Sequence, residues 1–170
     1  QQATIFASGN LDEYRLHALL SSAAPIDGFG VGTALDISSD APSLDCAYKL
    51  QEYAGKPRRK RSEGKATWPG RKQVYRNYSA DGCLAGDVVA LAENDPQAGQ
   101  VLLQLVMRAG QRISANTPLH QLRQQTLAGY ARLPHTMTTL DTAPAYPVTI
   151  SATLQALAQQ LDAEQAEQAE

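Results

Sequence analysis

Residues 3–35 read ATIFASGNLDEYRLHALLSSAAPIDGFGVGTAL, and the order of patterns in this segment sets the architecture of the chain. Ala3 to Ala7 is a short apolar run of the kind that forms a buried strand. Leu11 to Ala24 carries apolar residues at helical spacing, and Ile26 to Leu35 is apolar and interrupted by glycines, as in an extended segment. The segment therefore predicts a strand, a helix and a second strand, the unit that builds parallel sheets and barrels.

The ends of the predicted helix carry their own signals. Ser8-Gly9-Asn10 has the composition of a turn, and the Asn10 side chain can accept hydrogen bonds from the first helical amides as an N-cap. Pro25 disfavours helical geometry in the residue before it, so we expect the helix to stop there. Residues 1–40 thus form one α/β unit, and the chain changes character near Ala41.

The middle of the chain, residues 41–115, is predicted to be mainly antiparallel β structure. Ala47 to Tyr53 alternates in part and is followed by Gly55-Lys56-Pro57, which predicts one arm of a pair whose partner is Lys60 to Trp68. Turn signals at Asp81-Gly82 and Asn94-Asp95-Pro96 separate three further extended segments: Gln73–Arg76, Asp87–Leu91 and Gln100–Met107.

The last part of the chain, residues 116–162, is predicted to be helical. Pro118 to Ala131 carries leucines at helical spacing, with a proline in its first turn. Ser151 is placed to cap a final helix with an apolar face formed by Leu154, Leu157 and Leu161. Residues 163–170 alternate Glu, Gln and Ala without an apolar face, so we expect a frayed tail.

The composition excludes several classes of protein. The chain has 170 residues, 43% of them hydrophobic and 19% charged, which is enough apolar material for a core and argues against a disordered chain. A formal net charge of -2 argues against a nucleic-acid binder at the level of the whole molecule. No apolar run is long enough to span a membrane and no export signal is apparent, so we expect a cytoplasmic protein. Because the sequence lacks an initiator Met and opens on a buried strand, we expect a C-terminal fragment.

The glycines at the end of residues 3–35 are the strongest local signal. Gly28, Gly30 and Gly32 alternate and are followed by Thr33, so their backbone amides and the hydroxyl can form a concave site for an anion such as phosphate. No Gly-Lys-Ser/Thr follows, which excludes a Walker A loop. Thr33 replaces the third glycine of the dinucleotide fingerprint and no helix is predicted after it. A tightly packed turn at a strand edge is the alternative interpretation.

A second signal is a basic stretch, residues 56–76, which holds nine of the 15 basic residues and only Glu63 as an opposing charge. It can bind phosphates, nucleic acid or an acidic partner, since Trp68, Tyr75 and Tyr78 add aromatic surface on which bases stack. A solvated β edge protected by Lys and Arg is the alternative. The small turn Ser62-Glu63-Gly64-Lys65 favours a compact, oxygen-rich anion over a flat duplex.

Nothing in the sequence forms a catalytic or metal-binding arrangement. His17, His120 and His135 are not at ligand spacing from one another or from a carboxylate. Cys46 and Cys83 have no CxxC spacing and no neighbouring base, so we expect free thiols, no zinc and no nucleophilic cysteine. We therefore assign no catalytic residue and no metal ligand to this chain.

Four motifs, in order, carry a resemblance to a known family. The chain resembles the C-terminal part of nicotinate phosphoribosyltransferases, with weaker similarity continuing to the Ser151 helix. The motifs are Ala7-Ser8-Gly9-Asn10-Leu11-Asp12-Glu13-Tyr14, Pro25-Ile26-Asp27-Gly28-Phe29-Gly30-Val31-Gly32-Thr33, Asp40-Ala41-Pro42-Ser43-Leu44 leading to Tyr48-Lys49-Leu50, and Lys60-Arg61-Ser62-Glu63-Gly64-Lys65 leading to Pro69-Gly70-Arg71-Lys72.

The resemblance implies a fold and an activity. The α/β fold would be the C-terminal segment of an irregular, TIM-like phosphoribosyltransferase barrel, followed by an antiparallel β cap and C-terminal helices. Family members join nicotinate to phosphoribosyl pyrophosphate, coupled to ATP hydrolysis through a phosphorylated histidine, with Mg²⁺ as cofactor. No histidine of this chain matches that motif. The implied partners are the remaining N-terminal part of the enzyme and a second copy in a homodimer.

The resemblance also implies roles for particular residues. Gly30, Gly32 and Thr33 would hold the 5′-phosphate of the ribose through backbone amides. Gly9 and Asn10 would lie beside the ribose hydroxyls, and the family usually has Asp where this chain has Asn10. The residues Lys60, Ser62 and Lys65 would reach pyrophosphate or the phosphates of ATP.

Two other functions are compatible with the residues. One is a freestanding basic β module that binds nucleic acid or an acidic partner, with binding that falls steeply as salt rises. The other is a truncated family member kept for assembly and without activity of its own.

Overall fold

The computed structural model describes residues 3–38, 41–43, 46–114 and 116–167. The remaining positions lie outside this description, including both ends of the Asp40–Leu44 motif and the last three residues of the predicted tail. The described residues form a mixed α/β protein with small sheets, and they divide into two compact units. Gln1–Tyr48 with Leu140–Thr142 forms the first unit, and Lys49–Thr139 with Ala143–Glu170 forms the second.

The position of this division differs from the sequence prediction. It falls between Tyr48 and Lys49 rather than near Ala41. From Lys49 onward, the segments 41–115 and 116–162, predicted as separate regions, share the second unit except for Leu140–Thr142. They do so because a strand from the later segment pairs in the same sheet as strands from the earlier one.

The first unit confirms the predicted strand, helix and strand. The two strands pair in parallel, with Phe6 opposite Gly28 and Ser8 opposite Gly30. Both strands are three residues long, so both end at the same short edge. The elements are β1 (Phe6–Ser8), α1 (Glu13–Ser21), β2 (Gly28–Gly30) and α2 (Thr33–Asp36).

The boundaries of the helices in this unit correct three predictions. Asp12, not Asn10, caps α1, because its carboxylate accepts the Arg15 amide at 2.8 Å while Asn10 lies in a left-handed turn at φ +46°. The helix ends at Ser21, before Pro25, and Ser22 is its C-cap. A short helix, α2, does follow the glycines, with Gly32 at its N-cap position, where the sequence predicted continued extension.

The first unit leaves much of its apolar surface uncovered. Phe6 of β1 is 70% exposed, although the sequence predicted a buried strand. A two-stranded sheet with two short helices, α1 and α2, lacks the area to cover both of its faces. Leu11 is buried, but the other large apolar residues exposed in this unit include Ile5, Tyr14, Leu20, Val31, Leu35 and Ile37.

The second unit is built on a four-stranded sheet. Its strand order is β10-β6-β5-β7, in which β5 is antiparallel to β6 and β7, and β10 is parallel to β6. Two small antiparallel pairs, β3 with β4 and β8 with β9, stand beside it. The strands are β3 (Glu52–Tyr53), β4 (Lys56–Pro57), β5 (Lys72–Tyr78), β6 (Leu84–Leu91), β7 (Gln100–Val101), β8 (Met107–Arg108), β9 (Gln111–Arg112) and β10 (Val148–Ile150), and the helices are α3 (Leu119–Tyr130), the 3₁₀ turn His135–Met137 and α4 (Ala152–Glu167).

The first hairpin of this unit differs from the prediction. β3 pairs with β4 across Ala54 and Gly55, both at positive φ, and not with residues 60–68. Two consecutive left-handed residues form the tight turn that matches the twist of paired strands, so the chain reverses at once. Residues 60–67 close a separate loop, in which the Thr67 amide donates to the Lys60 carbonyl at 3.0 Å.

The core of the second unit lies where α4 meets the sheet. Ser151 caps α4 as predicted, because its hydroxyl accepts the Leu154 amide at 3.2 Å. Leu154 and Ala158 are buried on α4 and Ala90 is buried on β6. The helix continues to Glu167, which corrects the predicted frayed tail for the described part of residues 163–170.

Helix α3 was predicted at its observed position, and Gly129 in its last turn offers a test. We expect Gly129→Ala to raise the free energy of unfolding by about 0.5–1 kcal/mol, because alanine loses less backbone entropy in a helix. A Cβ at Gly129 meets nothing within 4 Å, so no strain opposes this gain. Urea denaturation of wild type and variant measures it, and a lower midpoint for the variant would contradict the prediction.

Across the part of the chain that the structure describes, no helix combines the length and the apolar character needed to cross a membrane.

Candidate functional site at the ends of two parallel strands

The carboxyl ends of β1 and β2 share an open depression of about 300 Å³. The depression is lined by Val31, Ala34 and all five residues that the family resemblance assigns in this unit: Gly9, Asn10, Gly30, Gly32 and Thr33. Gly28, the first glycine of the pattern, does not line it and instead pairs with Phe6 in the strand. Ligands of open α/β sheets bind outside the carboxyl ends of the strands. The structure therefore brings the predicted residues together at the edge where a ligand is expected.

The backbone of the depression depends on small residues. Gly9 has φ +106°, which side chains disfavour, and it turns the chain directly after β1. A Cβ on Gly30 would lie 3.1 Å from the Ser8 Cβ of the paired strand, so glycine permits the close approach of the two strand ends. A Cβ on Gly32 meets no atom within 4 Å, so this position borders open space.

The first turn of α2 supplies donors to the depression. The amides of Leu35 and Asp36 donate to the Gly32 carbonyl at 3.0 and 3.2 Å. The amides of Thr33 and Ala34 lie before them, and the first amides of a helix have no acceptor within it. Successive backbone amides of this kind bind anions, and the Thr33 hydroxyl adds a donor beside them.

The other three predicted residues, Lys60, Ser62 and Lys65, lie in the second unit on one exposed loop. The Lys65 amide donates to the Ser62 carbonyl at 2.9 Å, and the Lys60 amide donates to the Thr67 hydroxyl at 3.0 Å. The first bond closes the turn predicted at residues 62–65, and the second closes the base of the loop that carries all three residues.

The basic stretch does not form a single cationic surface. Five of its nine basic residues are engaged within the chain: Arg59 and Arg61 with Asp162, Arg71 with Glu93, Lys72 with the carbonyls of Trp68 and Gly70, and Arg76 with Asp87. Tyr75, one of the aromatic residues proposed to stack on bases, is buried. Burial also lowers the pKa of Lys72, although Glu52 opposes this shift.

The sequence analysis missed a half-buried ionic cluster in the sheet. Arg76 donates to both Asp87 oxygens, at 2.9 and 2.8 Å, and the Tyr146 hydroxyl donates to one of them at 3.0 Å. The Arg76 bonds hold the pKa of Asp87 below its usual value, and burial raises the pKa of Tyr146. Arg76 and Asp87 are cross-strand partners, a register that the sequence did not indicate.

A second buried carboxylate links the turn after β6 to α4. Burial of Asp95 favours its neutral form, but donors from Ser151, the Leu91 amide and Gln97 outweigh this and lower its pKa. Asp95 therefore holds the residue that caps α4, a structural role rather than a ligand-binding one.

The described residues contain no group of three His, Cys, Asp or Glu side chains that could hold a metal ion. A bound Mg²⁺ usually requires one or two carboxylates together with substrate phosphates.

Parallel strand ends, an open glycine-lined depression and free helical amides are together the features of phosphate-binding α/β proteins. No protein-family profile matches the chain. It is 46% identical over 154 residues to a nicotinate phosphoribosyltransferase of Mycobacterium tuberculosis, which covers 89% of this chain and 33% of that protein. It is 33% identical over 187 residues to the nicotinate phosphoribosyltransferase of Bos taurus, covering 96% of this chain and 35% of that protein.

A solved structure agrees with these sequence matches. The crystal structure of human nicotinic acid phosphoribosyltransferase superposes with a TM-score of 0.73 and 26% identity over 94% of this chain and 33% of that one. The chain is homologous to the nicotinate phosphoribosyltransferases, and the resemblance indicated by its motifs is confirmed. It spans about a third of the length of the curated relatives that it matches.

Proposed function

We propose that this chain is the C-terminal part of an enzyme that makes nicotinate mononucleotide from nicotinate and phosphoribosyl pyrophosphate in NAD salvage. The observation that carries the proposal is the depression at the carboxyl ends of β1 and β2, lined by the five residues that the family motifs predict there. The homology to nicotinate phosphoribosyltransferases also supports it.

The depression is assigned to the phosphoribosyl group. Gly30, Gly32 and Thr33 receive the 5′-phosphate through backbone amides, and Gly9 and Asn10 lie beside the ribose hydroxyls. Displacing pyrophosphate from the anomeric carbon develops positive charge on the ribose and negative charge on the leaving group. Such a reaction depends on positioning and on charge stabilisation, and a rigid phosphate anchor supplies the positioning.

The first unit exposes apolar surface, as expected if other parts of a longer protein pack against it. We assign β1 and β2 to the end of an irregular α/β barrel whose remaining strands come from the N-terminal part of the enzyme. The enzyme is a cytoplasmic homodimer in this proposal. Phe6 on β1 and Ile5 immediately before it are exposed, which supports their cover by further strands, since a barrel strand packs on both faces.

ATP and Mg²⁺ belong to the proposed reaction through the family. Lys60, Ser62 and Lys65 are assigned to pyrophosphate or to the phosphates of ATP. Mg²⁺ in such reactions is held by one or two carboxylates together with the substrate phosphates, so the bound substrates would supply part of its coordination.

We expect Lys65→Ala in the complete protein to weaken binding of the phosphate-bearing substrate by about 1.5–3 kcal/mol, the range for a charged hydrogen bond. Titration calorimetry with phosphoribosyl pyrophosphate and with ATP measures the loss. Lys56→Ala, which removes an exposed lysine of β4 outside the loop, is the control and should bind as wild type does. Unchanged affinity in Lys65→Ala would make Lys65 an ordinary surface charge.

The overall activity is tested by incubating the complete protein with nicotinate, phosphoribosyl pyrophosphate and ATP with Mg²⁺. The expected product is nicotinate mononucleotide, and the 170-residue chain alone should make none because it carries no catalytic histidine motif. Binding of single-stranded nucleic acid by the complete protein, without nucleotide formation, would instead favour the basic module.

A further inference from the structure

The segment that leads into the loop of Lys60, Ser62 and Lys65 is hydrogen-bonded to helix α4. The Arg59 guanidinium donates to the Asp162 carboxylate at 2.9 Å and to the Ala158 carbonyl at 3.2 Å. Arg61 donates to the other Asp162 oxygen at 2.6 Å, to the Leu161 carbonyl at 2.6 Å and to the Gln165 side chain. One carboxylate thus serves two arginines that lie two residues apart.

The two arginines that bond to α4 alternate along the chain with the proposed ligand-binding residues. Arg59 and Arg61 hydrogen-bond to α4, and Lys60 between them and Ser62 after them are exposed. The loop is closed at its base by the reciprocal bonds between Lys60 and Thr67, each at 3.0 Å. Fixing Arg59 and Arg61 therefore fixes the start of the loop that carries the lysines.

Arg59 depends strongly on this arrangement. Its side chain is only 13% exposed, and its Nε is buried without a hydrogen-bond partner among the described residues. Removing the Asp162 carboxylate would leave a mostly buried guanidinium with little besides the Ala158 carbonyl to offset its lost hydration. Residues 59–61 would then be expected to move away from α4, because Arg59 regains hydration by doing so.

We propose that Asp162 is a positioning residue, which holds the Lys60–Lys65 loop in its phosphate-binding geometry through Arg59 and Arg61. Preordering a loop spares the ligand the entropic cost of fixing it, so the contribution of Asp162 appears in the binding of phosphate-bearing substrates. This inference rests on the proposed function of Lys60, Ser62 and Lys65.

The test compares Asp162→Ala, Arg61→Met and the double variant in the complete protein. We expect each single change to raise the KM for phosphoribosyl pyrophosphate or ATP about tenfold, with kcat within about twofold and the KM for nicotinate unchanged. Nicotinate carries no phosphate, so its KM separates loop displacement from a general loosening of the fold. The double variant should raise the KM no further than the more impaired single variant does, because both changes remove the same contact between the loop and α4.

A second readout is independent of activity. Hydrogen exchange of a peptide covering residues 58–68 should accelerate in Asp162→Ala and in Arg61→Met, but not in Gln160→Ala, which alters only a surface contact to Glu164 on the same helix. If either variant fails to fold, the other carries both measurements.

The outcomes separate the two proposals. If the wild-type protein makes no nicotinate mononucleotide, the proposed function is wrong. The exchange measurement would still report whether the contacts with α4 order the loop. Unchanged hydrogen exchange of residues 58–68 in both variants would show that the contacts with α4 do not order the loop. Faster exchange with unchanged KM for every substrate would show that these contacts do not serve binding, and either result overturns the role of Asp162.

Discussion

Gly32→Ala in the complete protein is expected to lower kcat/KM for phosphoribosyl pyrophosphate about 100-fold, the scale of loss from a misplacement of about 1 Å at a reacting group. A Cβ at Gly32 meets no protein atom within 4 Å, so the fold itself should tolerate the methyl group. In the proposed site this open space belongs to the 5′-phosphate. The methyl group therefore displaces the ligand rather than the protein.

Gly129→Ala is the matched control for this experiment. Both glycines have negative φ and an unobstructed Cβ position, but Gly129 lies in α3, outside the depression. The control should retain wild-type kcat/KM, and Gly32→Ala should retain the wild-type Tm. Wild-type kinetics in Gly32→Ala would place the phosphate elsewhere.

Asp87→Ala is expected to lower the free energy of unfolding by about 3 kcal/mol at neutral pH, the lower end of the range for breaking a buried ion pair. The change leaves Arg76 and the Tyr146 hydroxyl without their shared acceptor in the sheet. The lower end applies because the Arg76 side chain remains 31% exposed to solvent. Urea denaturation measures the loss, with the exposed Asp141→Ala as a control that should change stability little.

The pH dependence of this effect has a defined sign. The folded-state pKa of Asp87 is depressed, chiefly by Arg76, so its contribution is complete above the unfolded-state pKa of about 3.9. It is lost as the pH falls through the folded-state value. The stability difference between wild type and Asp87→Ala should therefore shrink below about pH 4, and a difference that grows in acid would contradict the assignment.

Local patterns predicted much of the secondary structure. The segment 3–35 contains its strand, helix and strand, α3 lies within the predicted range, and Ser151 caps α4. The errors lie where one residue or one turn decides the outcome. Asn10 and Asp12 are both good N-caps, and the left-handed turn at Gly9 and Asn10 moves the helix start to the second of them.

The candidate site was predictable in part for a physical reason. The glycine pattern indicated Gly30, Gly32 and Thr33, and the family resemblance added Gly9 and Asn10. These residues lie at or just after the ends of two strands of one parallel pair, which brings them to a common edge. The fate of the arginines was not predictable, because Arg61 and Asp162 are 101 residues apart and no periodicity links them. The pairing of Arg76 with Asp87 likewise depends on strand register, which turn length sets.

The most direct test of the proposed site is a crystal structure of the complete protein with nicotinate mononucleotide. We predict that phosphate oxygens lie about 2.7–3.2 Å from the backbone nitrogens of Gly32 and Thr33, with the ribose hydroxyls beside Gly9 and Asn10. A nucleotide bound elsewhere, with this depression filled only by solvent, would contradict the assignment of the depression to the phosphoribosyl group.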